Sequence, residues 1–339
     1  MNTFISSTWN IIDQCNLCCG HCFADANADR PRPRQYRNRT FVIDDLAKLG
    51  VRDIVFSGGE PLLSADLFDL IAAARTRHMR VRLATNGLLL TASVAQRLKA
   101  SGVASVQVSV DGPENVHDCL RGHPGAYLGA VQALSTLAHA GLHSSVATVL
   151  MKRNCTLGVI RHITTLIAEQ QVQAWGIERF VPVGRGRQSK QELVDCAEYM
   201  EVLRRASSLV HATLPRVQLA IQDPLRVLVS APEEAAEAFA ASTAHSVCLG
   251  CAAMIMGFSI SANGDIYPCP RLPLSVGNVF DGGLAHLDEQ PLCKQLQKRE
   301  AIEGCGGCEY LRVCGGCRAY AFAVAGNPLG RDGLCPRAQ

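Results

Sequence analysis

Between Ile11 and Val183, short apolar runs alternate with amphipathic stretches of roughly ten to fifteen residues, the pattern of repeated strand–helix units that feed a parallel sheet. The apolar runs predict strands over 8–12, 53–57, 80–85, 105–110, 144–151 and 173–182, and the amphipathic stretches predict helices over 40–49, 65–77, 92–101, 126–140 and 157–169. Six such units make an α/β fold, a partial or full (β/α)6 barrel. Barrels place ligands at the C-terminal ends of their strands, so the residues just after each strand are where chemistry is expected. From Arg187 to Ser246 the chain reads as a helical, Ala/Glu-rich connection interrupted by Pro215 and Pro224. Beyond it, helical periodicity nearly vanishes before Tyr320. The expected organisation is a barrel over 1–186, a connecting segment over 187–246 and a small cysteine-rich domain over 247–339.

Composition alters this picture in one respect. With 339 residues, 48% hydrophobic, the chain can bury a sizeable core, and its net charge of +3 is carried by dispersed Lys and Arg. Phosphate-backbone binding needs a basic stripe that this dispersal does not supply, so no nucleic-acid partner is expected. The first residues lack a cationic start followed by an apolar run, and no stretch of about 18 apolar residues occurs. A cytoplasmic protein without a membrane partner is the expectation. Cysteine is the anomaly: there are sixteen, clustered towards the two ends, nine of them from Cys248 to Cys335. A disulfide scaffold suits neither the length nor the missing signal segment, which leaves metal ligation as the reading of the clusters.

Cys15, Cys19 and Cys22 follow the first predicted strand, at the mouth of the barrel. Their spacing lets three thiolates converge on one iron–sulfur cube, whereas an electron-transfer cluster wants four, so one iron is left open for a ligand. Cys18 permits a second reading, two zinc-knuckle pairs Cys15-x-x-Cys18 and Cys19-x-x-Cys22, but adjacent residues do not readily serve one tetrahedral ion, so Cys18 is expected as a buried or spare thiol. The run Cys15-Asn16-Leu17-Cys18-Cys19-Gly20-His21-Cys22-Phe23 resembles the signature of the radical S-adenosylmethionine (radical SAM) superfamily. This resemblance implies that the open iron of a [4Fe-4S] cluster chelates S-adenosyl-L-methionine. It also implies reductive cleavage to a 5′-deoxyadenosyl radical that takes a hydrogen atom from substrate, and an external one-electron reductant of flavodoxin or ferredoxin type. Phe23 falls at the family position beside the adenine.

Gly58-Gly59-Glu60-Pro61 follows the second strand, where two glycines let backbone approach a ligand and Glu60 offers a carboxylate. It resembles the family motif that holds the methionine ammonium. Over 106–111, period two puts Gln107, Ser109 and Asp111 on one face and three valines on the other, so a polar face meets a ligand or ordered water in the lumen. The resemblance assigns Ser109 and Arg121 to the cofactor carboxylate and ribose, with Asp111 beside them. Asn86, in the turn Thr85-Asn86-Gly87, and Val181, ending the sixth strand, also fall at family cofactor contacts.

In the C-terminal part, twelve residues separate Cys251 from Gly264 and four more lead to Cys269; five separate Cys305-x-x-Cys308 from Cys314-x-x-Cys317, and Cys335 lies apart. Five is short for a zinc ribbon. The order resembles the SPASM extension of radical SAM enzymes, which carries two auxiliary [4Fe-4S] clusters. That pattern assigns Cys248, Cys251, Cys269 and Cys317 to the first cluster and Cys305, Cys308, Cys314 and Cys335 to the second. Many members have three residues where this chain has two, between Cys314 and Cys317, which bears on how these ligands divide between clusters. Cys119, Cys155, Cys196 and Cys293 have no place in the pattern and are expected as small buried hydrophobes.

The form Cys314-Gly315-Gly316-Cys317-Arg318-Ala319 resembles members acting on haem precursors and on the mycofactocin peptide, both of which lose a carboxylate after hydrogen abstraction. Radical decarboxylation of a small-molecule or peptide substrate, with cytosylglucuronate as a further model, is the leading expectation. Cross-linking of a ribosomal peptide, with a separate peptide-recognition protein, is the alternative. A non-enzymatic iron–sulfur or zinc scaffold is the reading from another class. Cations beyond strand ends that would grip a substrate carboxylate are Lys152, Arg153, Arg179 and Arg185.

Overall fold

Strands form where β-branched and apolar residues alternate with small or polar ones, and the computed structural model, which describes residues 4–30, 39–229 and 250–337, sets them in one open sheet. They are β1 (Ser6–Asn10), β2 (Asp53–Ser57), β3 (Arg80–Thr85), β4 (Ser105–Ser109), β5 (Ser144–Leu150), β6 (Ala174–Arg179), β7 (Gln218–Ile221), β8 (Gly257–Ile260) and β9 (Ile266–Tyr267). The order across the sheet is β7-β6-β5-β4-β3-β2-β1-β8-β9, parallel throughout except for the β8–β9 pair. The helices α1 (Thr40–Lys48), α2 (Leu67–Thr76), α3 (Ala92–Ala100), α4 (Glu114–Arg121), α5 (Ala126–Ala140) and α6 (Leu157–Glu169) lie between successive strands, and α7 (Cys196–Thr213) precedes β7. This is the expected α/β class, with a sheet that does not close.

Burial follows the side-chain period of two. Along β5, Ser144, Val146, Thr148 and Leu150 are buried on the helix-covered face while the residues between them face the lumen half-exposed. Helix starts are fixed by side chains that take orphan N–H groups: Thr91 Oγ1 accepts from Val94 N and Thr156 Oγ1 from Val159 N, each at 3.3 Å. The helix α5 ends on Gly141, whose φ of 63° needs no Cβ to be accommodated. On the outer face Ile54, Phe56, Val81, Leu83, Val106 and Val108 are fully buried, each contributing about 1.5–3 kcal/mol of transfer free energy.

Several elements differ from the sequence reading, β6 among them: it ends at Arg179, three residues before the expected end, so Val181 lies in the loop beyond the strand. The first strand ends at Asn10, two residues earlier than expected; Ile11 and Ile12 are buried in the loop beyond it, and Ile11 N still donates to Ser57 O at 2.9 Å. The helix α4 is polar enough to have escaped a search for apolar periodicity. The segment expected to be a helical connection contributes β7, which pairs in parallel with β6. The cysteine-rich segment also joins the same sheet, because β8 pairs with β1 and Phe4 packs edge-on against Phe258 at 5.1 Å. The thiol-bearing loops of the C-terminal part are thereby held beside the C-terminal ends of the strands.

Candidate active site

The loop after β1 is pinned by backbone contacts that leave its thiols facing inwards. Cys15 N donates to Asn27 O (3.0 Å) and Gly20 N to Leu120 O (3.0 Å). Gly184, at φ 57°, presses against the carbonyls of Cys22 and Phe23, and Arg185 donates to Cys19 O (2.8 Å), Ala26 O (2.8 Å) and Asp25 Oδ1 (3.0 Å). Cys15, Cys19 and Cys22 line a cavity of 380 Å³ together with Phe23, Gly58, Gly59, Asn86, Ser109, Arg121 and Val181. Every expected catalytic and cofactor-site position other than Glu60 and Asp111 thus borders this one cavity. Cys18 is exposed and its carbonyl abuts Gly122.

Donors point at the sulfurs. Leu17 N lies 3.4 Å from Cys15 Sγ, Ala26 N 3.4 Å from Cys22 Sγ, and Arg121 Nη1 3.9 Å from Cys19 Sγ. Burial nevertheless pushes the Cys15 thiol up to about 12, so a thiolate there needs a cation to balance it, which iron supplies. The donor set therefore fits a cluster.

Glu60 and Asp111 do not line this cavity. The Glu60 carboxylate is turned into the end of β3, where Oε1 accepts from Thr85 Oγ1 (2.8 Å) and Leu62 N (3.1 Å) and Oε2 from Asn86 N (2.9 Å). It braces the turn that presents Asn86, and the glycine backbone faces the cavity in its place. Full burial pushes Glu60 up from its ordinary 4.5 to about 7, against those three hydrogen bonds. An unfolded chain releases this proton first, so Glu60 makes stability fall as pH rises from about 4.5 to about 7. The lead in melting temperature of wild type over Glu60→Gln is expected to be largest at the acid end of that window and to shrink towards neutrality; a lead constant with pH sinks this account.

Asp111 sits behind Arg121 and aims it. Its Oδ2 accepts from Arg121 Nε (2.8 Å) and Nη2 (2.6 Å), and its Oδ1 accepts from Val149 N (3.0 Å). Burial alone would raise the carboxyl, but the guanidinium holds it below the usual carboxylate range. His21, between Cys19 and Cys22, was not singled out by the sequence reading. It is buried against the cavity, its Nδ1 has no partner among the described residues, and burial with the charge of Arg121 lowers it to about 4, leaving a neutral ring. Its position inside the cysteine run was the available signal.

Two further cavities open in the C-terminal part. One of 320 Å³ is bordered by Cys251, Cys269 and Cys317; Cys248, expected with them, lies outside the described residues. The other, of 660 Å³, is bordered by Cys305, Cys308, Cys314 and Cys335, the four expected for a second cluster. Gly315 and Gly316 explain how Cys314 and Cys317 reach different cavities across so short a spacing: at φ 69° and 56° they turn the chain through two successive left-handed residues. Of the remaining cysteines, Cys155 and Cys293 are buried and Cys196 is half-buried, but Cys119 is exposed, a correction to its expected burial; its thiol accepts from Arg153 Nη1 at 3.1 Å.

The expected substrate-gripping cations are largely committed elsewhere. Lys152 and Arg153 are exposed outside the cavities, and Arg153 pairs with Glu192. Arg185 holds the cysteine loop. Arg179 is 2% exposed and clamped between Asp223 and Asp332. Arg271, which the sequence reading passed over, lines both the 380 Å³ and the 320 Å³ cavities.

This geometry has counterparts among known proteins. The model of the radical SAM superfamily matches residues 9–154, and that of an iron-sulfur cluster-binding domain, SPASM, matches 248–309. An AdoMet-dependent heme synthase of Nitratidesulfovibrio vulgaris is 32% identical over 96% of this chain and 90% of its own length. The chain belongs to the radical SAM superfamily and carries a SPASM domain. A mycofactocin maturase of Mycobacterium ulcerans is 31% identical to this radical SAM protein, over 98% of the chain and 87% of its own. In fold it resembles Streptococcus suis SuiB bound to S-adenosylmethionine, with a TM-score of 0.76 at 19% identity over 98% of this chain and 78% of SuiB. It is a radical SAM enzyme, and its cofactors are S-adenosylmethionine and [4Fe-4S] clusters. The scaffold reading is thereby overturned. Among the described residues no helix is long and apolar enough to cross a membrane.

Proposed function

We propose that this radical SAM enzyme decarboxylates a propionate-like side arm of a cofactor precursor, leaving a vinyl group. The observation that carries the reading is the shared wall between two cavities: Arg179, Gln222, Pro270 and Arg271 border both the one lined by Cys15, Cys19 and Cys22 and the one lined by Cys251, Cys269 and Cys317. A substrate arm at that wall lies between the radical source and a second iron–sulfur site. Relatives named AdoMet-dependent heme synthase and Fe-coproporphyrin III synthase support a tetrapyrrole precursor. The mycofactocin maturase relatives support, as a second reading, the C-terminal carboxylate of a peptide delivered by a separate recognition protein.

In this reading Cys15, Cys19 and Cys22 hold the catalytic cluster, Cys251, Cys269 and Cys317 with Cys248 hold the first auxiliary cluster, and Cys305, Cys308, Cys314 and Cys335 hold the second. S-adenosylmethionine and the catalytic cluster, fed by an external flavodoxin- or ferredoxin-type reductant, supply the hydrogen-abstracting radical. The chain orients its cofactor with the backbone of Gly58 and Gly59, with Asn86, with Ser109 and with the Arg121 fork that Asp111 aims. Phe23 and Val181 close the apolar side against water. The substrate loses a hydrogen atom from the carbon β to its carboxyl. The bond to the carboxyl carbon then breaks as the double bond forms, releasing carbon dioxide and one electron. That electron requires a one-electron acceptor, and the thiols of Cys251, Cys269 and Cys317 border the substrate cavity to hold one. The barrel over 1–186, the segment 187–246 and the SPASM domain over 247–339 act as one cytoplasmic unit.

The test is anaerobic turnover of the reconstituted enzyme with a reductant and iron coproporphyrin III carrying labelled carboxyl carbons. Labelled carbon dioxide in step with 5′-deoxyadenosine is expected. Deoxyadenosine formed with no loss of carboxyl carbon, from this substrate or from a peptide that instead gains a cross-link, overturns the reading.

A further inference from the structure

We infer that Arg271 grips the substrate carboxylate and holds it at the junction of the two cavities, with Glu178 as the positioning residue that sets its fork; this rests on the decarboxylase reading. Among the described residues two cations line both cavities, Arg179 and Arg271, and they differ in what surrounds them. Arg179 gives Nε and Nη2 to Asp223 (2.5 and 2.6 Å) and Nη1 to both oxygens of Asp332 (2.7 and 2.9 Å). Its fork is filled by protein, and its side chain is 2% exposed.

Among the described residues Arg271 pairs with one carboxylate, and its side chain also donates to the Cys269 thiol. Nη1 reaches Glu178 Oε2 and Arg179 O, both at 3.2 Å, towards the long end of such bonds. Its side chain is 19% exposed, towards the cavities it lines. The other guanidinium groups on the S-adenosylmethionine side are also matched: Arg82 to Asp53 (2.6 Å), Arg121 to Asp111 (2.6 Å) and Arg185 to Asp25 (3.0 Å). A planar guanidinium with more N–H groups than these contacts use suits an incoming carboxylate better than a lysine would. Pro270 fixes the backbone just before it, and Cys269 N-terminal to that proline borders the auxiliary cavity, so a carboxylate on Arg271 is placed beside the acceptor that decarboxylation needs.

The test titrates the visible absorbance of iron coproporphyrin III, and separately of its tetramethyl ester, against anaerobic holoenzyme in three forms. Relative to wild type, Arg271→Gln is expected to weaken binding of the acid about tenfold or more, the size of one charge-assisted hydrogen bond to an ion, and to leave the ester unchanged. Glu178→Gln keeps an oxygen to accept from Arg271 Nη1, and so the setting of the fork, while removing the charge that competes with the substrate; it is expected to tighten the acid several-fold and again leave the ester unchanged. Iron content and melting temperature confirm that each variant is loaded and folded. An acid-to-ester preference that neither substitution moves, absence of binding by every form included, overturns the inference. Labelled carbon dioxide from wild type with an unmoved preference leaves the decarboxylase reading standing without Arg271. A preference that moves, with no carbon dioxide from wild type, does the reverse.

Discussion

Arg179→Met is expected to lower the melting temperature of the cluster-loaded enzyme by about 5 °C or more. The guanidinium stands between Asp223 and Asp332, which are 0% and 1% exposed, and lies over the rings of Tyr199 and Tyr320 at 5.8 and 5.2 Å. Asp332 also accepts the Cys317 N–H at 2.7 Å, and Asp223 the Tyr199 hydroxyl at 2.7 Å. A methionine keeps most of the apolar stem but strands two buried carboxylates, and breaking a buried pair in this way costs about 3–5 kcal/mol. Burial alone would raise the Asp223 carboxyl; the guanidinium is what holds it below the usual range. In wild type that contribution is therefore present at neutral pH and lost as pH falls through the carboxylate range, so the gap between wild type and variant narrows in acid. Replacing both carboxylates in the Arg179→Met background, as Asp223→Asn and Asp332→Asn, is expected to recover most of the loss. A melting temperature within about one degree of wild type shows instead that the two carboxylates are accommodated without the arginine.

That ion triad also shows where sequence reasoning stopped. Local periodicity carried most of the barrel: β2 and β3 and the helices α5 and α6 run over the expected residues, because each buries one face in a repeating local pattern. The cysteine run and the Gly58-Gly59 turn follow strand ends, which share one rim, and were legible as well; Ser109 ends β4, while Arg121 ends α4 and was reached only through the family resemblance. Side-chain direction at those ends was less legible. Glu60 and Asp111 lie next to the cavity in sequence, yet turns rotate their carboxylates into Thr85, Asn86 and Arg121. The four-residue strand β7 is too short to announce a period. Arg179 reads as one cation after a strand until Asp223 and Asp332 arrive from 44 and 153 residues away. Arg271 gains its meaning only because β8 docks on β1 and brings the SPASM thiols to the barrel rim. These are long-range juxtapositions, and no local pattern encodes them.

The largest effect on catalysis is expected from a single methyl group. Gly59→Ala is expected to reduce 5′-deoxyadenosine formation about 100-fold or more, as a misplacement of the order of an ångström does at a reacting centre. A Cβ on Gly59 falls on the carbonyl oxygen of Gln14, 2.5 Å from its carbon and 3.0 Å from Asp13 O. These are backbone atoms of the segment leading directly into Cys15, so no side chain can swing aside to make room. The close approach is itself bonded: Gly59 N donates to Ile12 O at 2.6 Å and Glu60 N to Gln14 O at 2.9 Å. The glycine pair therefore serves two ends at once, lining the 380 Å³ cavity and seating the cysteine loop against the end of β2. Displacing that loop moves Cys15 relative to Cys19 and Cys22, whose carbonyls remain tied to Arg185. Iron content and the cluster's spectroscopic signature should fall together with turnover. Gly158→Ala is the control, because a Cβ there meets nothing nearer than Thr156 Oγ1 at 3.8 Å, and it should leave all three measurements unchanged. Gly59→Ala turnover within about threefold of wild type would mean that the Gln14 backbone yields, and that the seat of the cysteine loop is not fixed by this contact.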